Sequence, residues 1–373
     1  MQILSHESSK EGSCGTDHFG KGGKHLWNIS TAPSSGRPAG ANFARLAGAR
    51  RMRLLVVDDD SREKPCGGLL SPDAQKALAR YDISLPVSVL TSPQIFAVRV
   101  IDLESGIARR YPRHYLNMDR AAFDRFLRSQ IPPGVVRVQG RCVRISDTGK
   151  VFSVRLADGR EFTAQRLVGA DGANSLVRRT FFKNDRLRFY TAIQQTFAAQ
   201  DTDPFYSCIF DSETSPAPSW ILFKNGTMLF GGAFPFAGSR ARFEAQKQKL
   251  VQHTALRAEN FSAPMKTEVC LVASPGFSGF CTGNDRIFLI GEAAGFISPS
   301  SFEGISYALR SGEMLAESLL ERDPARAYRR RTAALRHILY GKECKRKVLA
   351  SPTLRRLIMR SGITAIRTKK TKP

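Results

Sequence analysis

A turn rich in small residues follows an apolar segment near residue 290 and has the composition of a dinucleotide-binding site. Residues 286–290 (RIFLI) are typical of a buried strand, and residues 291–295 (GEAAG) come directly after them. Small side chains let the backbone approach a phosphate closely, and the start of a following helix offers unpaired N–H groups. Glu292 ends the strand, so its carboxylate can accept hydrogen bonds from ribose or ribityl hydroxyls.

Two further segments carry residues of the same kind. Residues 169–175 (GADGANS) follow the short apolar run 166–168, and residues 64–68 (KPCGG) form a glycine-rich loop that contains one thiol, Cys66. Each segment by itself is also compatible with an ordinary turn, and Cys66 by itself with a small buried side chain. The three segments together, in this order along the chain, favour a dinucleotide-binding fold.

The elements between these segments alternate in type. The patterns predict helices over 39–49, from Pro72, over 119–128 and over 303–320, and strands over 53–58, 135–143, 152–156 and 286–290. Residues 219–223 and 227–230 flank Lys224-Asn225-Gly226, which is a hairpin signal. The alternation predicts an α/β fold, a doubly wound dinucleotide-binding domain with an inserted antiparallel sheet.

Four regions follow from these patterns. Residues 1–37 show neither helical nor strand periodicity and are expected to be disordered or outside the fold. Residues 38–185 and 276–320 are expected to form the dinucleotide domain, with part of the substrate sheet within 70–115. Residues 186–275 are expected to form an antiparallel substrate domain, and residues 321–373 a basic helical region.

The net charge of +24 is concentrated at the C-terminal end. From Glu321 to Pro373 there are 17 Lys and Arg against 3 Asp and Glu, a difference of +14. Such a region is attracted to an anionic membrane surface, or is simply a solvated set of helices. Few aromatic residues accompany the charges, so nucleic acid is the weaker option.

Cysteine use and hydropathy limit the cellular context. The seven cysteines include no CxxC pair, which favours a reduced, cytoplasmic protein over a disulfide framework or a metal site. No apolar run approaches the roughly 18–20 residues of a membrane-spanning helix. The N-terminal residues have no apolar core typical of a signal peptide. The expected location is therefore the cytoplasm, with peripheral membrane contact as an option.

Taken together, the three segments resemble those of the geranylgeranyl reductase family of FAD-dependent oxidoreductases, which is related to the flavin hydroxylases. Residues 169–175 are similar to the DG motif, and residues 291–295 to the second flavin motif, GDAAG. Pro299, residues 303–305 and the loop 65–68 (PCGG) resemble the geranylgeranyl reductase branch, as do residues 115–120 (YLNMDR). The likeness extends from about Pro38 to Leu320.

The resemblance implies a Rossmann-like FAD-binding fold and a set of cofactor-binding positions. Cys66 is implied as a candidate proton donor, with an ordered water as the alternative. The implied cofactor-binding residues are Gly40, Asp58, Gly67, Gly68, Arg120, Asp171, Gly172, Gly291, Glu292, Ala294, Gly295, Gly304 and Ile305.

The family's activity implies reduction of carbon–carbon double bonds in a prenyl or similar apolar lipid. FAD would be the cofactor, and NAD(P)H or ferredoxin would be the electron donor. Two alternatives remain open: an FAD-dependent aromatic monooxygenase, against which the loop 65–68 argues, and a degenerate flavoprotein without activity.

The degenerate alternative arises from residues 35–40 (SGRPAG), which stand where the family has GxGPAG. Ser35 and Arg37 replace the first two glycines, and the second of these lets the backbone contact the pyrophosphate. Upstream, residues 27–34 lack the pattern of a buried strand, so the sheet is expected to lack its first strand. One hypothesis is that this upstream sequence comes from a shifted reading frame or a wrong start.

Overall fold

The computed structural model describes residues 26–27, 29–32, 38–59, 63–183, 186–199, 203–253, 261 and 263–362. Its strands are β1 (Leu26–Trp27), β2 (Ile29–Ala32), β3 (Leu54–Asp58), β4 (Leu69–Leu70), β5 (Ile95–Asp102), β6 (Ile107–Asn117), β7 (Val136–Gln139), β8 (Cys142–Asp147), β9 (Phe152–Leu156), β10 (Glu161–Ala164), β11 (Leu167–Gly169), β12 (Arg188–Ala198), β13 (Phe205–Phe210), β14 (Ser219–Lys224), β15 (Thr227–Pro235), β16 (Lys266–Ser274) and β17 (Ile287–Leu289). Its helices are α1 (Pro38–Ala49), α2 (Pro72–Arg80), α3 (Arg120–Ser129), α4 (Leu176–Phe181), α5 (Ser239–His253), α6 (Ile305–Ser318), α7 (Pro324–Arg331), α8 (Ala333–Ala350) and α9 (Pro352–Arg360).

A five-stranded parallel sheet forms the centre of the dinucleotide domain, in the order β17-β11-β2-β3-β7. Its strands are short and apolar, and residues of β3, β11 and β17 belong to one large buried cluster with α1 and α6. Helix α1 packs closely on α6, because a Cβ at Gly312 would come within 2.7 Å of the Ala39 carbonyl oxygen. The Asn42 amide donates to the Leu309 carbonyl at 2.8 Å and fixes the two helices.

The prediction that this sheet lacks its first strand is wrong. The backbone of β2 pairs in parallel with β11 on one side and β3 on the other. The sequence pattern failed here because strand pairing is made by main-chain groups, which every residue except proline supplies in full. The predicted disorder over residues 1–25, 28 and 33–37 falls outside the described residues, as does the turn at Ser35 and Arg37.

An eight-stranded sheet, in the order β16-β12-β15-β14-β13-β5-β6-β4, forms the second layer. Asn225 and Gly226 both have positive φ, 43° and 75°, as the predicted β14–β15 hairpin requires. The predicted antiparallel strands within residues 186–275 pair antiparallel to one another, and β13 in addition pairs in parallel with β5 from an earlier part of the chain. Pairing direction is set by how distant segments meet, which strand periodicity does not encode.

The sequence patterns predicted only strands and turns within residues 186–275. The structure has a helix there, α5. Phe243 of α5 stacks on Phe230 of β15, with ring centroids 5.0 Å apart. The burial of this aromatic pair attaches α5 to one face of the eight-stranded sheet.

The C-terminal helices pack on both layers. Tyr328 of α7 donates to the Leu289 carbonyl of β17 at 2.9 Å. Arg355 of α9 forms an ion pair with Asp102 of β5, and both side chains are almost wholly buried. At least up to Gly362, the basic region is therefore part of the folded structure.

Candidate functional site

A cavity of about 650 Å³ lies between the two layers. This volume is in the usual range of small-molecule sites. The cavity is walled by the loop 64–68, the start of α3, the turns after β11 and β17, the inner face of the eight-stranded sheet and the helices α8 and α9. The predicted site residues that line it are Cys66, Gly67, Gly68, Arg120, Gly172, Glu292, Gly304 and Ile305.

A second cavity of about 290 Å³ adjoins the first and shares Lys64, Pro65, Cys66, Arg120 and Gln194 with it. Asp58, one of the predicted cofactor-binding residues, lines this second cavity. Its carboxylate is 3.7 Å from the Arg128 guanidinium of α3. The loop 64–68 lies between the two cavities, and its residues Lys64, Pro65 and Cys66 line both of them.

Cys66 lies at this division, and its surroundings favour the thiolate. Burial by itself would raise the pKa of the Cys66 thiol, but the Arg120 guanidinium, the Gly68 amide and the Lys224 ammonium outweigh it. The pKa is therefore lowered from its ordinary value. The Gly68 amide donates to Sγ at 3.4 Å, and Arg120 is itself held by two 3.0 Å bonds from its Nε to the Asp124 carboxylate.

Lys224 fixes the same loop from the opposite sheet. Its ammonium donates to the Gly68 carbonyl at 3.1 Å and to the Met118 carbonyl. Burial lowers its pKa to about 8. Gly68 has a φ of +67°, and a Cβ there would collide with the Lys224 ammonium and the Met118 oxygen, so glycine is required at this position.

Glu292 stands on the turn after β17, in the place of the acid of the second flavin motif. One carboxylate oxygen forms an ion pair with Lys64, and the other accepts from the Ala273 amide at 3.1 Å. The Glu292 side chain is 9% exposed. The Glu292 carboxylate can therefore accept hydrogen bonds from sugar hydroxyls at the cavity wall. Such hydroxyls would compete with Lys64 for the same carboxylate.

Asp171 does not line either cavity, and its carboxylate is turned into the protein. It accepts from the Ser175 hydroxyl at 2.5 Å and from the Leu176 amide at 2.6 Å, at the start of α4. Burial raises the pKa of Asp171 although these hydrogen bonds act against the rise. The structure gives this aspartate a part in ordering the turn, which brings the neighbouring Gly172 to the cavity.

Four other predicted cofactor-binding residues lie behind the cavity wall: Gly40, Gly291, Ala294 and Gly295. Gly291 and Gly295 have positive φ, 59° and 84°, and a Cβ at Gly291 would lie 2.9 Å from the Ala39 Cβ. Arg178 fastens the turn to its neighbours by donating to the carbonyls of Ala293 and Gly279 at 2.9 and 2.8 Å. These residues shape the turn.

The sequence patterns did not predict that strand β6 forms a wall of the cavity. Strand β6 alternates, and Arg109, Tyr111, Arg113 and Tyr115 all line the cavity. Tyr115 packs edge-on against Tyr206 of β13 with ring centroids 5.4 Å apart. Arginine and tyrosine occur at every second residue of β6, which places them on one face of the strand. This spacing is the sequence pattern that could have predicted the wall.

Among the described residues, no helix is long and apolar enough to cross a membrane, and no group of His, Cys, Asp and Glu could hold a metal ion.

Comparison with solved structures shows which proteins share this fold. A geranylgeranyl bacteriochlorophyll reductase-like protein from Thermoplasma acidophilum matches with a TM-score of 0.75 and 17% identity, covering 90% of this chain and 91% of that one. Klebsiella pneumoniae HpxO, in complex with FAD and uric acid, matches with a TM-score of 0.67 and 14% identity over 90% of this chain and 92% of that one. The predicted fold, an α/β FAD-binding Rossmann-like domain with a substrate-binding domain, is confirmed.

Sequence comparison gives nearer relatives. No protein-family model matches the chain. Protein CbrA of Escherichia coli O6:H1 is 44% identical over 344 residues, which cover 88% of this chain and 92% of that protein. Protein CbrA of Escherichia coli K12 is 44% identical over 344 residues, covering 88% and 95%. The chain therefore belongs to the family of the CbrA proteins.

Proposed function

We propose that this protein is an FAD-dependent oxidoreductase that reduces carbon–carbon double bonds of a prenyl or similar apolar lipid. The observation that carries the proposal is a thiol with a lowered pKa, Cys66, at the junction of two adjoining cavities. Apolar side chains from both layers and from α9 line the larger cavity, among them Trp220, Leu222, Val272 and Ile358. An apolar chain fits such a wall better than a small polar substrate does.

The residues at the two cavities fit FAD. Asp58 offers a carboxylate for the adenosine ribose, and Glu292 offers one for the ribityl hydroxyls once Lys64 is displaced. Gly172 and Gly304 present bare backbone to the larger cavity, and Arg120 adds a positive charge. The hydride for the reduction would come from reduced FAD held by these residues.

Cys66 would hold and release the proton that the other carbon of the double bond needs. A group transfers protons efficiently when its pKa lies near the working pH, and the Arg120 guanidinium moves the thiol in that direction. Lys224 holds the loop of Cys66 through the Gly68 carbonyl, and α8 and α9 form part of the wall of the larger cavity. NAD(P)H and ferredoxin are both proposed as electron donors.

The experiment begins with the visible spectrum of the purified protein after addition of FAD and gel filtration. We expect a two-banded flavin spectrum. We then expect geranylgeraniol to reoxidise the dithionite-reduced protein without oxygen and to yield a more saturated product. Cys66→Ala should slow this oxidation by about a hundredfold, the usual contribution of a general acid.

Cys281→Ala is the matched control, because Cys281 is part-buried but does not line either cavity. A protein that stays colourless would contradict the proposal and support a degenerate flavoprotein. Oxygen uptake coupled to turnover of an aromatic compound would instead support a monooxygenase, an activity that the fold accommodates equally well.

We also propose peripheral contact with an anionic membrane through α9. Leu354 and Leu357 are 45% and 60% exposed, next to the exposed Arg356 and Arg360, while Ile358 and Met359 of the same helix line the cavity. An apolar face rimmed by arginines suits an anionic bilayer surface. Contact there would bring a lipid substrate to the cavity.

Arg356→Glu/Arg360→Glu should reduce co-sedimentation with phosphatidylglycerol vesicles at low salt, because each basic side chain near the surface contributes about 1 kcal/mol. Arg329→Glu/Arg330→Glu is the charge-matched control on α7, where Arg330 is already paired with Glu321. Equal binding of the α9 variant and the wild type would refute the contact.

A further inference from the structure

Among the sheet edges in the described part of the chain, β16 is the longest. The strand has nine residues and lies at one end of the eight-stranded sheet, with β12 on its inner side. The strand at the opposite end, β4, has only two residues. Proteins commonly keep edge strands short, because the unpaired main-chain groups of a long edge can pair with another chain. The length of β16 gives no such protection.

The main-chain groups of alternate β16 residues point away from the sheet. The Ala273 amide donates to the Glu292 carboxylate at 3.1 Å, so it is directed away from β12. Direction alternates along an antiparallel strand, and the amides and carbonyls of Thr267, Val269 and Leu271 therefore point the same way. Among the described strands, β12 alone pairs with β16, so these groups face no strand. We call Thr267, Val269 and Leu271 the open edge.

Exposed apolar side chains lie on this edge. Val269 is 58% exposed, and Met265, just before the strand, is 67% exposed. The side chain of Val269 is on the face of the sheet that points away from the cavities, because the next residue, Cys270, lines the larger cavity. An apolar edge strand that is open to solvent is a site where chains associate. The chemistry of the open edge therefore fits a second strand.

The two charged residues of β16 determine which strand fits. Lys266 and Glu268 line the second cavity, with side-chain atoms 2.7 Å apart. A lysine on an edge strand commonly prevents pairing, because identical chains then bring like charges together. In an antiparallel pair of two copies with Thr267 at the centre, however, Lys266 of each copy faces Glu268 of the other. The four charges alternate in sign, and the edge is self-complementary.

Neighbouring registers lack this complementarity. A centre at Lys266 or at Glu268 would place that residue opposite its own copy, and like charges directly opposite each other are destabilising. A centre at Val269 would leave both charges opposite uncharged residues. Thr267 also belongs to the open edge, so its amide and carbonyl point outward, as a hydrogen-bonded pair requires. Charge and main-chain geometry select the same register.

We propose that β16 is a homodimerisation edge, at which two copies of this chain pair antiparallel about Thr267 and join their eight-stranded sheets. The main chain of the open edge makes the hydrogen bonds, and the Lys266–Glu268 pairs set the register. Because both charged residues line the second cavity, those of the second copy come to its rim. An interface built on one edge strand is small, so its dissociation constant is expected to be on the order of micromolar.

The test is sedimentation velocity of the full chain at low salt, from about 1 to about 100 µM, where a micromolar dimer forms progressively. Lys266→Glu opposes glutamates to glutamates, and Glu268→Lys opposes lysines to lysines. Each variant alone should therefore associate at least about tenfold more weakly than the wild type. An equimolar mixture of the two variants opposes glutamates to lysines, and we expect it to associate as the wild type does.

Two further variants separate the edge from general effects. Arg240→Glu is the matched control for Lys266→Glu, because the two cations are 59% and 57% exposed and each pairs with a carboxylate of its own element. It should associate like the wild type. Val269→Pro removes an outward amide without breaking a bond to β12, a position where an edge strand tolerates proline. It should abolish association while circular dichroism shows a folded protein.

Three outcomes would overturn the dimerisation edge. The first is a wild-type protein that stays monomeric over the whole range of concentrations. The second is equal association of the wild type and all variants, which would place the contact elsewhere on the molecule. The third is a mixture of the two charge-reversed variants that stays as weakly associated as each variant alone. The measurement needs neither FAD nor substrate, so its result is independent of the proposed reduction.

Discussion

Arg355→Ala is expected to lower the free energy of unfolding by about 3–5 kcal/mol, the usual effect of breaking a buried ion pair from one side. The Arg355 side chain is 1% exposed and that of Asp102 is 0% exposed, and their atoms are 2.9 Å apart. The guanidinium also donates to the Ser212 hydroxyl at 2.9 Å and the Leu349 carbonyl at 2.6 Å. Removing it leaves the Asp102 carboxylate buried without its cation.

Urea unfolding followed by circular dichroism measures this effect. Arg356→Ala is the control, because Arg356 is the next residue of α9 and is exposed, so its loss should cost less than about 0.5 kcal/mol. Since Arg355 joins α9 to β5, we also expect protease cleavage near α9 to become faster. Equal stability of the Arg355 and Arg356 variants would show that the ion pair contributes nothing net.

Arg120→Gln is expected to raise the pKa of the Cys66 thiol, because it removes an adjacent positive charge that favours the thiolate. Burial disfavours the thiolate, and Arg120 is the largest of the influences that overcome it. Alkylation of Cys66 by iodoacetamide at neutral pH should slow about tenfold, since the thiolate is the reactive form. Peptide mass spectrometry distinguishes Cys66 from the exposed Cys344.

Two variants sharpen this test. Arg120→Lys keeps the charge, so the pH profile of alkylation should stay closer to that of the wild type. Arg125→Gln removes a charge from an exposed position of the same helix and should leave the profile unchanged, because its side chain is 62% exposed. A Cys66 profile that does not move in Arg120→Gln would assign the lowered pKa to the Gly68 amide and Lys224.

The sequence predicted most elements of the dinucleotide domain because their signals are local. The strand 53–58 and the helix 39–49 correspond to β3 and α1, and the hairpin around Asn225 has the positive φ angles that its residues favour. The β2 strand escaped prediction because its place depends on the main chain of β11 and β3. A pattern of side chains carries little information about such a strand.

By itself, the sequence singled out the Cys66 loop and the turns at Gly172 and Glu292, and all three line one cavity. It could do so because a strand, a glycine turn and a helix start are encoded within a few residues. Only the tertiary structure decided that Asp171 orders a turn, that Lys64 engages Glu292, and that the basic C-terminal helices form part of the cavity wall. The last of these depends on Arg355 meeting Asp102 across 253 residues of sequence, and a contact over that separation leaves no local pattern.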